Sequence, residues 1–256
     1  MGVANAPRRF AGRSVIVTGA GGGIGRATAV AFATEGARLV VSDLKPELEE
    51  TVALCRAAGA EVQGLQLDVA ADEAPGALVR RAVDTYGRLD VAFNNAGITG
   101  VNVDVAEYPD EAWDQVMRVN LRAVFRGMKA QISAMRSGGG GAIVNTASVA
   151  GLVAMRDSAA YVAAKHAVMG LTRAAALDAI GSAVRINAVC PGIIDTPLLD
   201  PGKQVPGLIE SITATVPAAR MGLASEVARC VLFLASDESS YMVGQGLVVD
   251  GGVTAV

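Results

Sequence analysis

Short runs of β-branched and other apolar residues alternate with longer stretches of helical periodicity through nearly the whole chain. Ser14–Thr18 (SVIVT) is apolar on both faces, as a strand covered on both sides must be. The pattern then predicts a helix over 24–35 that stops at Gly36, and a strand over 38–42. A helix over 46–58 has Pro46 at its start and Gly59 just past its end, the expected punctuation. Further strands are predicted at 62–67, 90–93, 142–146, 184–189 and 246–249. Between them lie helices at 72–86 (capped by Asp72, stopped at Gly87), 107–135, 158–180, 207–215 and 225–235. The glycine run 138–141 reads as a loop. Strand–helix alternation of this kind implies right-handed βαβ crossovers and an α/β, doubly wound, seven-stranded parallel sheet with helices on both faces. An eight-stranded barrel is the rival at this length, but about seven strands are visible.

Length and composition narrow the reading. The 256 residues carry no repeat and no Pro- or Ser-rich linker, so 1–256 is read as a single domain, with 1–9 a flexible tail and Arg8 and Arg9 solvated. At 52% hydrophobic residues there is enough apolar surface to exclude disorder, and the 30 glycines have no three-residue period. A net charge of −3 speaks against a nucleic-acid partner. No apolar run is long enough for a membrane span, and the N-terminal residues lack the apolar core of a signal peptide. Ala6 stands where myristoylation needs Ser or Thr. Cys55, Cys190 and Cys230 are far apart and form no CxxC pair, so reduced thiols, no metal site and a cytoplasmic protein are expected.

The chemistry begins where the first strand ends. Thr18-Gly19-Ala20-Gly21-Gly22-Gly23-Ile24-Gly25 leads straight into a helix. Strand, glycine turn and helix N-terminus together make an anion site, and glycine lets a pyrophosphate approach the backbone. The spacing fits TGxxxGxG rather than GxGxxG, and GK[ST] is absent, which argues against a triphosphatase loop. Asp43 ends the second strand, 18 residues after Gly25. A carboxylate there accepts from ribose hydroxyls and repels a 2′-phosphate, so NAD is favoured over NADP. Lys45, two residues on, is the counter-indication, and a helix cap before Pro46 is the plainer alternative for Asp43.

Tyr161 and Lys165 are four residues apart in a helical stretch and so share a face. An ammonium beside a phenol lowers the phenol's pKa and tunes it for proton transfer. Ser148, 13 residues upstream, closes the fifth strand at the carboxyl edge where open α/β sheets bind ligands. With these motifs in place, the sequence resembles the short-chain dehydrogenase/reductase family over about residues 10–252. The likeness rests on Thr18-Gly19-xxx-Gly23-Ile24-Gly25, Asp68-Val69, Asn94-Asn95-Ala96-Gly97, Asn120, Ser148, Tyr161-xxx-Lys165, Pro191-Gly192 with Thr196, and Asp250-Gly251-Gly252. It implies a Rossmann fold and a catalytic tetrad of Asn120, Ser148, Tyr161 and Lys165. It also implies that Asp43 and Leu44 meet the adenosine ribose, that Asp68 and Val69 meet the adenine, and that Asn95 and Ala96 lie along that ribose. Pro191, Ile194 and Thr196 would border the nicotinamide, and Asn120 would hold a water that links Lys165 to solvent. His166, the single histidine, follows Lys165 and points about 100° away from it, which argues against a Ser–His–Asp hydrolase.

The segments 153–155 and 198–212 should border the substrate and are largely apolar, which favours a neutral, hydrophobic secondary alcohol or ketone. The stretches 141–151 and 161–172 look like those of NAD-linked bacterial dehydrogenases of cyclic alcohols and dihydrodiols. The runner-up is a 3-oxoacyl-carrier-protein reductase, for which Arg118, Arg122 and Arg126 would form a basic face, and a non-catalytic NAD sensor stands behind it. The resemblance implies a homotetramer.

Overall fold

The computed structural model describes residues 8–200 and 204–255. Its centre is a seven-stranded parallel sheet in the order β3-β2-β1-β4-β5-β6-β9. The strands are β1 Ser14–Thr18, β2 Arg38–Asp43, β3 Val62–Gln66, β4 Val91–Asn94, β5 Gly141–Thr146, β6 Val184–Pro191 and β9 Gly246–Val249. The chain runs outward from β1 to β3, then returns to place β4 on the other side of β1. That reversal opens a crevice at the carboxyl ends of β1 and β4, where Thr18 and Asn94 lie.

Helices cover both faces: α1 Gly23–Thr34, α2 Leu48–Ala57, α3 Ala74–Tyr86, α4 Asp110–Met117, α5 Ala123–Ser137, α6 Ala159–Ala179, α7 Leu208–Ala214 and α8 Ala224–Ala235. The pleat of β1 explains why its residues are all apolar or small. Val15 and Val17 enter one core with Phe32, Val52, Val227 and Val231, from α1, α2 and α8. Ile16, between them, enters the opposite core with Leu78, Met128, Val168 and Met169, from α3, α5 and α6. Phe10 meets Phe32 edge-on, with ring centroids 4.7 Å apart, and closes the bottom of the first core.

Four expectations need correction. The helix read over 107–135 is two helices, α4 and α5, joined by a π-helical segment, Arg118–Arg122. One extra residue in a turn barely alters apolar spacing, so the pattern could not reveal it. Asp72 does not cap α3, which starts at Ala74; it pairs with Arg126, so that arginine is withdrawn from the basic face shared with Arg118 and Arg122. Arg9 is not solvated tail: it pairs with Glu35 and Glu238 and lies over the Phe10 ring. Residues 1–7 of the expected tail lie outside the described residues. Finally, two short strands, β7 Ile194–Asp195 and β8 Gly222–Leu223, pair in a separate small sheet that the pattern did not signal.

Candidate active site

The turn after β1 is shaped by contacts that only glycine permits. A β-carbon on Gly25 would sit 2.0 Å from the Gly19 carbonyl oxygen, so α1 packs directly on the turn. Gly19 has φ +65°, and a β-carbon there would lie 2.8 Å from Ala96 Cα. Helix α1 begins with Gly22 as its N-cap, no side chain caps it, and its first turn holds no acid. Its leading N–H groups therefore lack side-chain acceptors, and the helix dipole adds positive potential. This cradle, in which Gly19 and Gly25 leave no room for a β-carbon and the helix start offers donors without side-chain acceptors, fits the pyrophosphate of a dinucleotide. A β-carbon on Gly23 would stand 3.0 Å from Thr196, so the turn faces the segment after β6. There Pro191 and Ile194 are buried, and Thr196 Oγ1 donates to the Ile194 carbonyl (3.3 Å).

Asp43 ends β2 beside the turn. Its Oδ2 accepts from the Gly21 N–H (2.8 Å) and its Oδ1 from the Lys45 backbone N–H (2.9 Å). It does not cap α2, whose N-cap is Glu47. Leu44 is 64% exposed at the rim. Arg26, one residue beyond the motif, was not anticipated. Its guanidinium donates to the Gly21 carbonyl (2.6 Å) and Thr51 Oγ1 (3.0 Å) and pairs with Glu50 (2.8 Å). With its fork committed to the underside of the turn, Arg26 braces the backbone rather than waiting for a phosphate. Asp68 forms an Asx turn, its Oδ1 accepting from the Ala70 N–H (2.9 Å). Val69 and Ala96 line a narrow cavity with Thr18, Asn94 and Gln131.

The proposed tetrad gathers at the ends of β4 and β5. Ser148 is buried, and its Oγ accepts from the Ala150 N–H (3.1 Å). Tyr161 and Lys165 project together from α6, with Lys165 Nζ 5.5 Å from the phenol ring centre. Lys165 is 3% exposed, and its Nζ donates to the Thr146 carbonyl (2.8 Å). Asn120 sits in the π-helical segment, where its Oδ1 accepts from the Ile98 N–H (2.8 Å) and its Nδ2 donates to the Ile98 carbonyl (2.7 Å). A β-carbon on Gly97 would lie 3.2 Å from Asn120 Oδ1 and 3.7 Å from Lys165 Nζ, so these two side chains converge on that glycine. His166 is exposed, and its Nδ1 lies 3.0 Å from the Val162 carbonyl, away from Ser148.

The electrostatics differ from expectation at one point. Burial pushes the Tyr161 phenol above its ordinary value, and the neighbouring Ser148 hydroxyl acts in the opposite direction. Lys165 does not pull the phenol below its ordinary value, because burial of the phenol outweighs any nearby charge; burial also lowers the amine itself, from 10.5 to about 8. The structure also shows a buried amide network around the motif residue Asn94, whose other members, Gln131, Asn145 and Thr172, no motif contains. Asn94 Nδ2 donates to Asn145 Oδ1 (2.9 Å) and Gln131 Oε1 (3.0 Å), and Asn145 Nδ2 reaches Thr172 Oγ1 (3.0 Å). These polar side chains tie β4, β5, α5 and α6 together just beneath the site.

Comparison with known proteins identifies the family. A family model described as "Enoyl-(Acyl carrier protein) reductase" matches residues 19–254. Cyclohexanol dehydrogenase of Acinetobacter sp. (strain SE19) is 42% identical over 252 residues, covering 96% of this chain and 97% of that protein. The crystal structure of an NAD+-bound xylitol dehydrogenase superposes with a TM-score of 0.91 at 34% identity, covering 95% of this chain and 100% of the other. A putative 2-deoxy-D-gluconate 3-dehydrogenase from Agrobacterium tumefaciens, solved with NADP, gives 0.89 at 32% identity, with 98% and 100% covered. The chain belongs to the short-chain dehydrogenase/reductase family of oxidoreductases, whose members bind a nicotinamide dinucleotide.

Proposed function

We propose that the protein is an NAD-dependent dehydrogenase of hydrophobic, cyclic secondary alcohols, with Tyr161 as its general acid–base. The observation that carries this reading is the convergence of Tyr161, Lys165 and Ser148 beside an uncapped glycine cradle flanked by Asp43. Gly19, Gly23, Ile24 and Gly25 hold the pyrophosphate, while Asp43 and Leu44 meet the adenosine ribose. Asp68, Val69, Asn95 and Ala96 lie along the adenosine, and Pro191, Ile194 and Thr196 beside the nicotinamide. When bound, the dinucleotide accepts or returns the hydride.

The side chains manage the alcohol's proton. Ser148 hydrogen-bonds the alcohol oxygen and orients it, and Tyr161 takes the hydroxyl proton in oxidation or returns it in reduction. Lys165 spends one N–H on the Thr146 carbonyl and keeps two donors for the phenolate and the nicotinamide ribose. Asn120, with both ends of its amide on Ile98, holds that residue beside the Gly97 turn that Lys165 approaches. Asp43 repels a 2′-phosphate, which favours NAD over NADP.

The substrate reading follows from the apolar rim. Leu152, Val153, Met155, Leu198 and Val205 leave large apolar side chains exposed on the segments that follow Ser148 and Thr196. Residues 201–203 of the expected 198–212 border lie outside the described residues. An apolar rim suits a ring such as cyclohexanol better than a polyol. The test is NAD reduction at 340 nm over cyclic, aliphatic and sugar alcohols; faster turnover of sugar alcohols than of cyclohexanol sinks the substrate assignment. A 3-oxoacyl-carrier-protein reductase is the second reading, favoured by Arg118 and Arg122, which line an exposed cleft with Phe125. The reverse assay on 3-ketoacyl thioesters decides between them.

A homotetramer accompanies this reading. Leu177 and Tyr241 expose apolar surface that other copies would cover. Light scattering that gives a monomer removes it. Among the described residues no helix is long and apolar enough to cross a membrane, and all three cysteines are free. Both facts support a cytoplasmic setting.

A further inference from the structure

Two parts of the site are joined by a residue that no motif contains. Thr146, the last residue of β5, presents its carbonyl oxygen to Lys165 Nζ (2.8 Å). Its hydroxyl points the other way and donates to Asn95 Oδ1 (3.2 Å). The same Asn95 amide donates through Nδ2 to the carbonyls of Thr18 (3.1 Å) and Gly19 (3.2 Å), the first two residues of the phosphate turn. Thr18 Oγ1 in turn accepts from the Asn95 and Ala96 backbone N–H groups (2.9 and 3.2 Å).

This arrangement has a consequence for Asn95. An amide has two ends that look alike in shape but differ in hydrogen bonding. The turn offers two carbonyls, so it needs the NH₂ end, and the opposite end must then be an acceptor facing a donor. Thr146 supplies that donor. The two carbonyls set the amide's orientation; without the Thr146 hydroxyl, Asn95 Oδ1 loses its β5 partner and the amide is held only at its NH₂ end, by Thr18 and Gly19. Those two carbonyls anchor the turn whose other groups face the pyrophosphate.

We infer that Thr146 is a positioning residue: its hydroxyl fixes the Asn95 amide and thereby the glycine turn, while its carbonyl holds the catalytic lysine in register with that turn. The inference deepens the dinucleotide assignment and rests on it. Its core is a strand-end hydroxyl that tunes dinucleotide affinity without touching the ligand.

The test is isothermal titration calorimetry of NAD+ itself into wild type, Thr146→Val and Thr146→Ser. Valine keeps the shape and the β-branch but removes the donor, and it suits a strand, so the variant should fold. Losing one such hydrogen bond should raise the NAD+ Kd by about three- to ten-fold. Serine restores the hydroxyl and should return the Kd to within about two-fold of wild type, a rescue that a purely packing role would not give. Thermal unfolding of each variant checks the fold. If wild type binds NAD+ and Thr146→Val binds it equally well, or if serine is as weak as valine, the inference is wrong and the cofactor assignment stands. If wild type binds neither NAD+ nor NADP+, the cofactor assignment falls and the inference falls with it.

Discussion

Replacing Lys165 by methionine should leave a signature in stability that is separate from its effect on turnover. The amine is 3% exposed, and burial lowers its pKa from 10.5 to about 8. Between those values the unfolded chain holds a proton that the folded chain has released. Unfolding then takes up a proton, so folded-state stability rises with pH through this window. Above 10.5 the amine imposes no penalty, and below about 8 the penalty is complete and constant. The full difference is about 3 kcal/mol at ~1.36 kcal/mol per pKa unit, and about 2.5 kcal/mol of it falls between pH 7 and pH 10. Methionine has similar reach and no charge, so Lys165→Met lacks this slope. Urea unfolding of both proteins at equal concentration, at pH 7, 8.5 and 10, gives the difference in stability at each pH. Wild type should gain about 2.5 kcal/mol on the variant over the series. A difference that stays flat within about 0.5 kcal/mol would refute the reasoning, because it would mean that the amine is not held in a desolvated site.

Other expectations follow from single groups. Tyr161→Phe should lower kcat by about 10²–10⁴-fold while leaving the calorimetric Kd for NAD+ nearly unchanged. Because burial raises the phenol, alcohol oxidation should speed up as pH rises above neutrality and ketone reduction should slow; initial rates in both directions from pH 6 to 10 check the sign. Asp43→Ser should raise kcat/KM for NADP by about tenfold or more, since it removes a like charge facing the 2′-phosphate. Gly25→Ala places a methyl 2.0 Å from the Gly19 carbonyl. It should cost about 1–3 kcal/mol in urea unfolding and weaken NAD+ binding with it.

The parts of the site that lie within one element, or at one junction, were legible in the sequence. Tyr161 and Lys165 share a helix face by spacing alone, and Gly19 to Gly25 sit where a strand hands over to a helix. Asn120 was legible only as a motif position. Its geometry depends on a π turn, and one extra residue in a long amphipathic stretch leaves the apolar stripe almost intact. Thr146 and the inward face of Asn95 were not legible, because they meet only when β1, β4 and β5 become neighbours in the sheet. The same holds for Asp72, which reads locally as a helix cap and globally as the partner of Arg126. Local chemistry can be read from spacing; pairing across the sheet cannot. The sign of the Tyr161 shift was missed for a related reason. Charge proximity was visible in the spacing, but the burial that outweighs it is a property of the packed core.

The central claim is tested most directly by initial rates of NADH formation at 340 nm with cyclohexanol, wild type beside Tyr161→Phe, with NADP as the alternative cofactor. The account predicts turnover by wild type, a clear preference for NAD, and loss of turnover in the variant. NADPH oxidation with 3-ketoacyl thioesters, in the absence of NADH formation from cyclohexanol or any other alcohol, would contradict it.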